Sequence, residues 1–204
     1  MSTAALDHAI ARIAAGKMVV IAGDRLRGGD IDLMCAARHV TPDIINFMAT
    51  HGRGLICLAV TPQRAAQLGL SLVNPGTARQ TGRPFARSIE AASGVSTGIS
   101  AADRARTIQV AIADGASAAD IHSPGHVFPL IAQDAGVLAR ASACEASIDL
   151  ARMAGAGDAA VICSIMRDDG EMARLEDIGD FLRDYDLAVA DIGALIARLA
   201  GADA

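Results

Sequence analysis

A short apolar run that ends in a burst of charge constrains this chain more than any other stretch. Met18 to Ala22 is wholly apolar and has the length of a buried strand. The stretch from Ala22 to Leu33 then packs Asp24, Arg25, Arg27, Asp30 and Asp32 among Gly23, Gly28 and Gly29. Charge at that density does not build a core. On composition alone the stretch reads as a solvated turn. Its place at the end of a buried strand is also where proteins that mix helices and strands hold ligands.

Around that stretch, helical and strand patterns alternate along the whole length. Leu6, Ile10 and Ile13 share one face of a first helix, with Ser2 or Thr3 as its cap and Gly16 as its stop. Thr41-Pro42 and Thr61-Pro62 each pair a capping residue with a proline at the first helical position. The helices they start end near Gly52 and Gly69, with a strand over 54–60 between them. Residues 74–84 read as a loop and 85–91 as a strand. Ser100 and Asp103 open a helix striped by Ala101, Ala105, Ile108 and Ile112. Ser123–His126 reads as a turn and Val127–Ile131 as a strand. A helix follows over 145–154 and a strand over 159–165. Leu175, Ile178, Leu182 and Tyr185 stripe one more helix, and Asp191 caps the last. No linker or compositional break interrupts the series, so residues 1–204 read as a single α+β or α/β domain.

The aromatic residues are Phe47, Phe85, Phe128, Phe181 and Tyr185, so the core must be built from Ala, Ile, Leu, Val and Met. The net charge is −5 and there is no basic run. A nucleic-acid surface is therefore not expected, since it needs a basic face or stacking aromatics. No apolar run reaches the roughly 20 residues of a membrane span. The first residues lack the charged and apolar regions of a signal peptide. Cys35, Cys57, Cys144 and Cys163 are scattered without a Cys-x-x-Cys, which points to reduced thiols in a cytoplasm.

Two places carry groups suited to chemistry. Arg140-Ala-Ser-Ala-Cys144 runs into a helix start, where free N–H groups, the helix dipole and an arginine all favour an anion. His126 follows Pro-Gly ahead of a strand, a position open to a general acid or base. The ordinary alternatives are a helix cap beside a surface arginine and a turn histidine bonded to backbone. His51 sits at a helix C-terminus, where the dipole accounts for it.

Four segments together resemble the 3,4-dihydroxy-2-butanone 4-phosphate synthase family. They are His51-Gly-Arg-Gly-Leu-Ile-Cys-Leu58, Ser96-Thr-Gly-Ile-Ser-Ala-Ala-Asp-Arg104, Pro124-Gly-His-Val-Phe-Pro-Leu130 and Asp168-Asp-Gly-Glu-Met-Ala-Arg174, supported by 145–150. The resemblance implies an α+β fold with a mixed sheet flanked by helices. It implies a homodimer with the active site near the subunit interface, and a small phosphorylated sugar as partner. It also implies a riboflavin-pathway lyase reaction in which ribulose 5-phosphate is enolised, dehydrated and rearranged with loss of formate, assisted by a divalent metal.

The family's opening loop reads Asp-Arg-Glu-Asn-Glu-Gly-Asp. Against it, Arg27 and Asp32 match substrate-contacting positions and Asp30 keeps an acid, while Gly28 stands where the family has a metal-binding glutamate. Against the family's Arg-Gly-Gly-His-Thr-Glu, Arg140 and Glu145 match, Ala143 replaces the metal-binding histidine and Cys144 a phosphate-contacting threonine. Ser164 stands at the catalytic glutamate, and His126 keeps an essential histidine.

The expectation is therefore a divergent enzyme acting on a pentulose phosphate by altered, metal-independent enolisation or dehydration. Arg27, Asp32, Arg140, Cys144 and Glu145 bind substrate, and His126, Asp30 and Cys144 carry protons. No cofactor is expected, and magnesium only if Asp30 or Asp32 substitutes for the lost ligands. The alternatives are a genuine formate-releasing synthase and a catalytically inactive ligand-binding or heteromer-forming subunit.

Overall fold

The structure is a computed structural model that describes residues 3–74 and 83–202. Helix α1 spans Thr3–Ala14, buries Leu6, Ala9 and Ile13, and stops at the left-handed Gly16. Strand β1 (Val19–Asp24) continues the apolar run two residues into the charged stretch. A single 3-10 turn over Arg25–Arg27 then reverses the chain into β2 (Asp30–Ala36). The reversal needs positive φ at Gly28 (65°) and Gly29 (87°), which glycine supplies at no steric cost.

The charged stretch is thus a tight antiparallel hairpin and not a solvated turn: Asp24 is 1% exposed and Asp32 0%. Burial on this scale is possible because each carboxylate is paired inside the fold.

Helices α2 (Pro42–Phe47) and α3 (Pro62–Gln67) start as the Thr-Pro pairs predict, with Thr41 and Thr61 accepting the N–H of Ile44 and Arg64. A wider π-turn over Met48–Gly52 extends α2. It brings His51 among Phe47, Phe181 and Tyr185, with ring centroids 4.5 to 6.2 Å from it. Packing, as well as the helix end, accounts for His51.

Strands β3 (Cys57–Val60) and β4 (Ile89–Ala91) follow, then α4 (Ala101–Ile112) capped by Ser100. Of the strand expected over 85–91, Phe85 and Ala86 make only isolated bridges. The loop expected over 74–84 falls largely on residues 75–82, outside the described residues.

Strand β5 (Ile121–Ile131) contains the segment expected as a turn. Both descriptions hold in part. Ile89 pairs with Val127 and Glu90 with His122, so Ser123–His126 bulges out of register with β4. Helix α5 (Gly136–Ala139) precedes α6 (Ala143–Met153), which begins two residues before the expected start. Strand β6 (Ala160–Ser164) leads to a 3-10 turn at Leu175–Ile178 and helix α7 (Gly179–Asp184), where one continuous helix was expected. Strand β7 (Ala188–Asp191), which its short pattern did not reveal, leads into α8 (Ile192–Ala202). Asp191 caps α8 by accepting the N–H of Ala194 at 2.9 Å.

The strands form one mixed sheet in the order β4-β5-β3-β6-β2-β1-β7. Leu33, Leu58, Val161 and Cys163 face one core layer with Ile45 and Ile108. Val19, Met34, Cys57 and Ile162 face the other, against α1, α6 and α8. Helix α6 is buried on every side from Ala143 to Ala151. Small side chains let it lie close to the sheet, and its two acids are used internally. Glu145 accepts the N–H of Gln133 at 3.1 Å, and Asp149 that of Val137 at 2.7 Å.

Candidate active site

The hairpin delivers its charges to one point beneath the start of α6. Asp32 on β2 pairs across the sheet with Ser164 on β6, and the Ser164 hydroxyl donates to Asp32 Oδ1 at 2.8 Å. Two guanidinium groups close on the same carboxylate. Arg27 bonds Oδ2 through Nη2, and Arg83 bonds Oδ1 at 2.6 Å through Nη2, which also reaches the Ser164 hydroxyl at 2.5 Å. Burial alone pushes the Asp32 carboxyl up. Arg83, Arg27 and the Ser164 hydroxyl outweigh it and hold the group below the ordinary 3.8. The Arg83 charge loses by burial but gains more from Asp32, so it too is held ionised.

Every nitrogen of Arg27 is engaged. Its Nε donates to Asp24 at 3.0 Å, and its Nη1 to Asp30 at 3.4 Å and to Ser164 at 3.3 Å. Arg174 adds a bond to the other oxygen of Asp30. Three buried or half-buried carboxylates are thus matched by three arginines. Asp24 is also held by backbone: Leu26 N–H donates at 3.1 Å and Ala143 N–H at 2.9 Å. The anion at the start of α6 that the sequence pointed to is, in this structure, the protein's own Asp24 carboxylate.

The rest of the 140–145 segment forms a second buried cluster. Glu145 is fully buried, accepts from Arg140 Nη1 at 3.3 Å and is bonded by the Ser142 hydroxyl. Cys144 is 2% exposed, and burial followed by the adjacent Glu145 raises its thiol well above the ordinary value. A thiol so placed keeps its proton at neutral pH, which argues against the proton-carrying role expected of it.

His126 stands apart from these clusters. Met34, Ile162, Cys57 and Phe128 form one row across β2, β6, β3 and β5. Three strand spacings, about 14 Å, separate Met34 from Phe128. Asp32 and His126 each lie two residues from that row. The recorded partner of His126 is Glu90, with Nδ1 and Oε1 3.2 Å apart. This contact orients the ring through Nδ1, on a side chain that is 42% exposed.

A cavity of about 310 Å³ opens beside the arginine–aspartate centre, lined by Arg27, Asp30, Leu55, Arg83, Phe85, Ser164, Met166 and Met172. Larger hollows of about 440 and 500 Å³ lie elsewhere. Of these hollows, the smaller borders the buried charge centre. Of the expected residues, Arg27, Asp30 and Asp32 meet there. Arg140, Cys144 and Glu145 meet around the start of α6, joined to the hairpin through Asp24.

Sequence reading missed Arg83, Arg174, Asp24 and Glu90. Arg83 lies 51 residues from Asp32, and Arg174 lies 144 residues from Asp30. No local pattern announces such pairs.

The donor set does not fit a divalent cation. Gly28 and Ala143 offer no side-chain ligand, and Gly28 adopts φ 65°, which a glutamate would occupy only with strain. Asp30 and Asp32 are each engaged by two guanidinium groups. Among the described residues no group of three acids, histidines or cysteines is placed to hold a metal ion. No helix among them is long and apolar enough to cross a membrane.

A family model described as 3,4-dihydroxy-2-butanone 4-phosphate synthase matches residues 7–198. The 3,4-dihydroxy-2-butanone 4-phosphate synthase of Pseudomonas aeruginosa is 48% identical over 196 residues, covering 96% of this chain and 54% of its own length. That of Citrobacter koseri is 41% identical over 192 residues, covering 94% of this chain and 88% of its own. The chain spans about half the length of the first curated relatives it matches. A crystal structure of a 3,4-dihydroxy-2-butanone 4-phosphate synthase in complex with two magnesium ions superposes with a TM-score of 0.88 at 34% identity, covering 95% of both chains.

Proposed function

Since this chain belongs to the 3,4-dihydroxy-2-butanone 4-phosphate synthase family, we propose that it is an enzyme that enolises or dehydrates a pentulose phosphate, ribulose 5-phosphate or a close relative, without a divalent cation held by the protein. The observation that carries this reading is the paired guanidinium groups of Arg27 and Arg83 on Asp32, at the wall of the cavity. Enolisation removes a proton from the carbon beside a carbonyl and leaves negative charge on oxygen. That charge needs a positive partner in a water-poor site.

Arg27 meets the sugar at the cavity wall, Asp32 behind it holds Arg27 and Arg83 in place, and Asp30 accepts or returns a proton beside it. Arg140 and Glu145 brace the wall at the start of α6, and Cys144 fills space there. His126 acts as general acid or base through Nε2, with Glu90 fixing the ring. Its distance from Asp32 in one chain fits a homodimer in which His126 of one protomer faces the cavity of the other. Four free, buried thiols accord with a reducing, cytoplasmic setting.

The test is to incubate the purified protein with ribulose 5-phosphate in EDTA and in magnesium, and to follow the sugar and formate by NMR. Altered sugar without formate in EDTA supports this reading. Formate that appears only with magnesium refutes it and favours the full family reaction. Sugar that binds unchanged points to an inactive ligand-binding subunit.

A further inference from the structure

We propose that Arg83, backed by Arg27, forms an oxyanion site in place of a divalent cation, and binds the enediolate or carboxylate of a phosphorylated polyol directly. The inference rests on the cavity being the substrate pocket and goes on to assign the group that recognises the reacting atoms.

Arg27 and Arg83 differ in the donors they have left. A guanidinium carries five N–H groups in a fixed fork. In Arg27 every nitrogen already serves a carboxylate, and Nη1 serves Ser164 as well. In Arg83 only Nη2 has oxygen acceptors, Asp32 and Ser164. Nη1 meets only the Cys57 sulfur, at 3.6 Å, a weak acceptor, and among the described residues Nε has no recorded partner. Arg83, with two nitrogens that meet no oxygen, therefore keeps more donor capacity at the cavity wall than Arg27, in which every nitrogen is engaged.

The charge arrangement points the same way. Arg27 and Arg83 both pair with the fully buried Asp32, so positive groups stand at the cavity wall without a metal ion. Ser164 accepts from both arginines and donates to Asp32. A glutamate at that position would compete with Asp32 for the same donors. The serine instead leaves Arg83 to a ligand anion. The N–H groups that Arg83 keeps, on Nε and Nη1, each suit one oxygen of an enediolate or a carboxylate, and its charge suits the anion.

Two measurements test this. In the first, free Mn²⁺ is followed by electron paramagnetic resonance as protein is added. The wild-type signal should stay undiminished at ~1 mM protein and metal. Depletion that disappears in Asp32→Asn overturns the proposal.

In the second, a phosphorylated aldonate, whose carboxylate imitates the enediolate, is titrated calorimetrically in EDTA and in magnesium. Equal affinity in both buffers is expected, with about tenfold or greater weakening in Arg83→Gln and less in Arg83→Lys, which keeps the charge without the fork. Both variants are first checked for wild-type circular dichroism. If Arg83→Gln does not fold, Arg83→Lys carries the comparison. Affinity that requires magnesium, or that is unchanged in the variants, overturns the proposal. Glycolate, titrated alongside, separates the two readings. If glycolate binds in an Arg83-dependent way and the aldonate phosphate does not, the sugar-phosphate reading falls and the oxyanion site stands. If neither binds, the oxyanion site falls.

Discussion

Asp24 Oδ2 accepts the backbone N–H of Ala143 at 2.9 Å, and this bond joins the β1–β2 hairpin to the start of α6. The same carboxylate oxygen receives Arg27 Nε, and the other receives the N–H of Leu26. One buried acid thus closes the hairpin, caps α6 and fixes the arginine that reaches Asp32. Asp24→Ala removes all three bonds and leaves Arg27 Nε and a helix end unpaired. It should lower stability by about 3 kcal/mol in urea unfolding and speed amide exchange at Ala143.

Removing Arg83 should be costly for a related reason. Arg83→Ala takes one of two cations from a carboxylate with no access to water. A loss of about 2 to 3 kcal/mol is expected, below the full cost of an orphaned buried charge because Arg27 remains. Urea unfolding of Arg83→Ala alone and combined with Asp32→Asn measures the coupling. The double variant should lose much less than the sum of the single losses.

Stability should fall in acid through Asp32. Its carboxyl is held below the ordinary 3.8 by Arg83, Arg27 and Ser164 acting against burial. A group whose folded value lies below its unfolded value stabilises the fold above the unfolded value. That contribution is lost as pH falls through the folded one. Guanidinium unfolding at neutral pH and at pH values descending below about 4 should show this decline. Asp32→Asn should lie lower at neutral pH and show a flatter acid limb.

Native thiols should be unreactive. Burial pushes Cys35 and Cys163 up to about 12 and Cys57 to about 11, and raises Cys144 further above its ordinary value. Ellman's reagent should label the folded protein slowly at pH 8 and all four thiols quickly in denaturant. Cys144→Ala should cost about 1 kcal/mol of stability without abolishing turnover.

The proposed homodimer, in which His126 of one protomer faces the cavity of the other, makes a complementation prediction. Arg83→Gln and His126→Ala homodimers should both be impaired. After random subunit exchange, half of the dimers are mixed, and each mixed dimer holds one intact site. Activity should recover to about one quarter of wild type. Recovery at the sum of the two residual activities would place both residues in one chain's site.

How much of this was legible in the residues depends on the range of the interaction. Thr41, Thr61, Ser100 and Asp191 announce helix starts because a cap and its helix are neighbours in sequence. The apolar run at 18–22 gives β1 for the same reason. Burial of the hairpin charges was not legible, because it requires Arg83, Arg174 and the start of α6 to arrive from distant segments. The bulge at Ser123–His126 depends on β4 pairing at both of its ends, so a turn was half of the answer. Arg27, Asp30 and Asp32 were placed at the site by family resemblance. The arginines that engage two of them came only from the fold.

The claim that guanidinium groups replace the cation is tested most directly by proton exchange in D₂O. Ribulose 5-phosphate is incubated with the protein in EDTA, and deuterium at the carbons beside the carbonyl is followed by NMR. Enzyme-dependent deuterium uptake in EDTA, unchanged by added magnesium and lost in Arg83→Gln, is the expected result. Uptake that is absent in EDTA and restored by magnesium contradicts it.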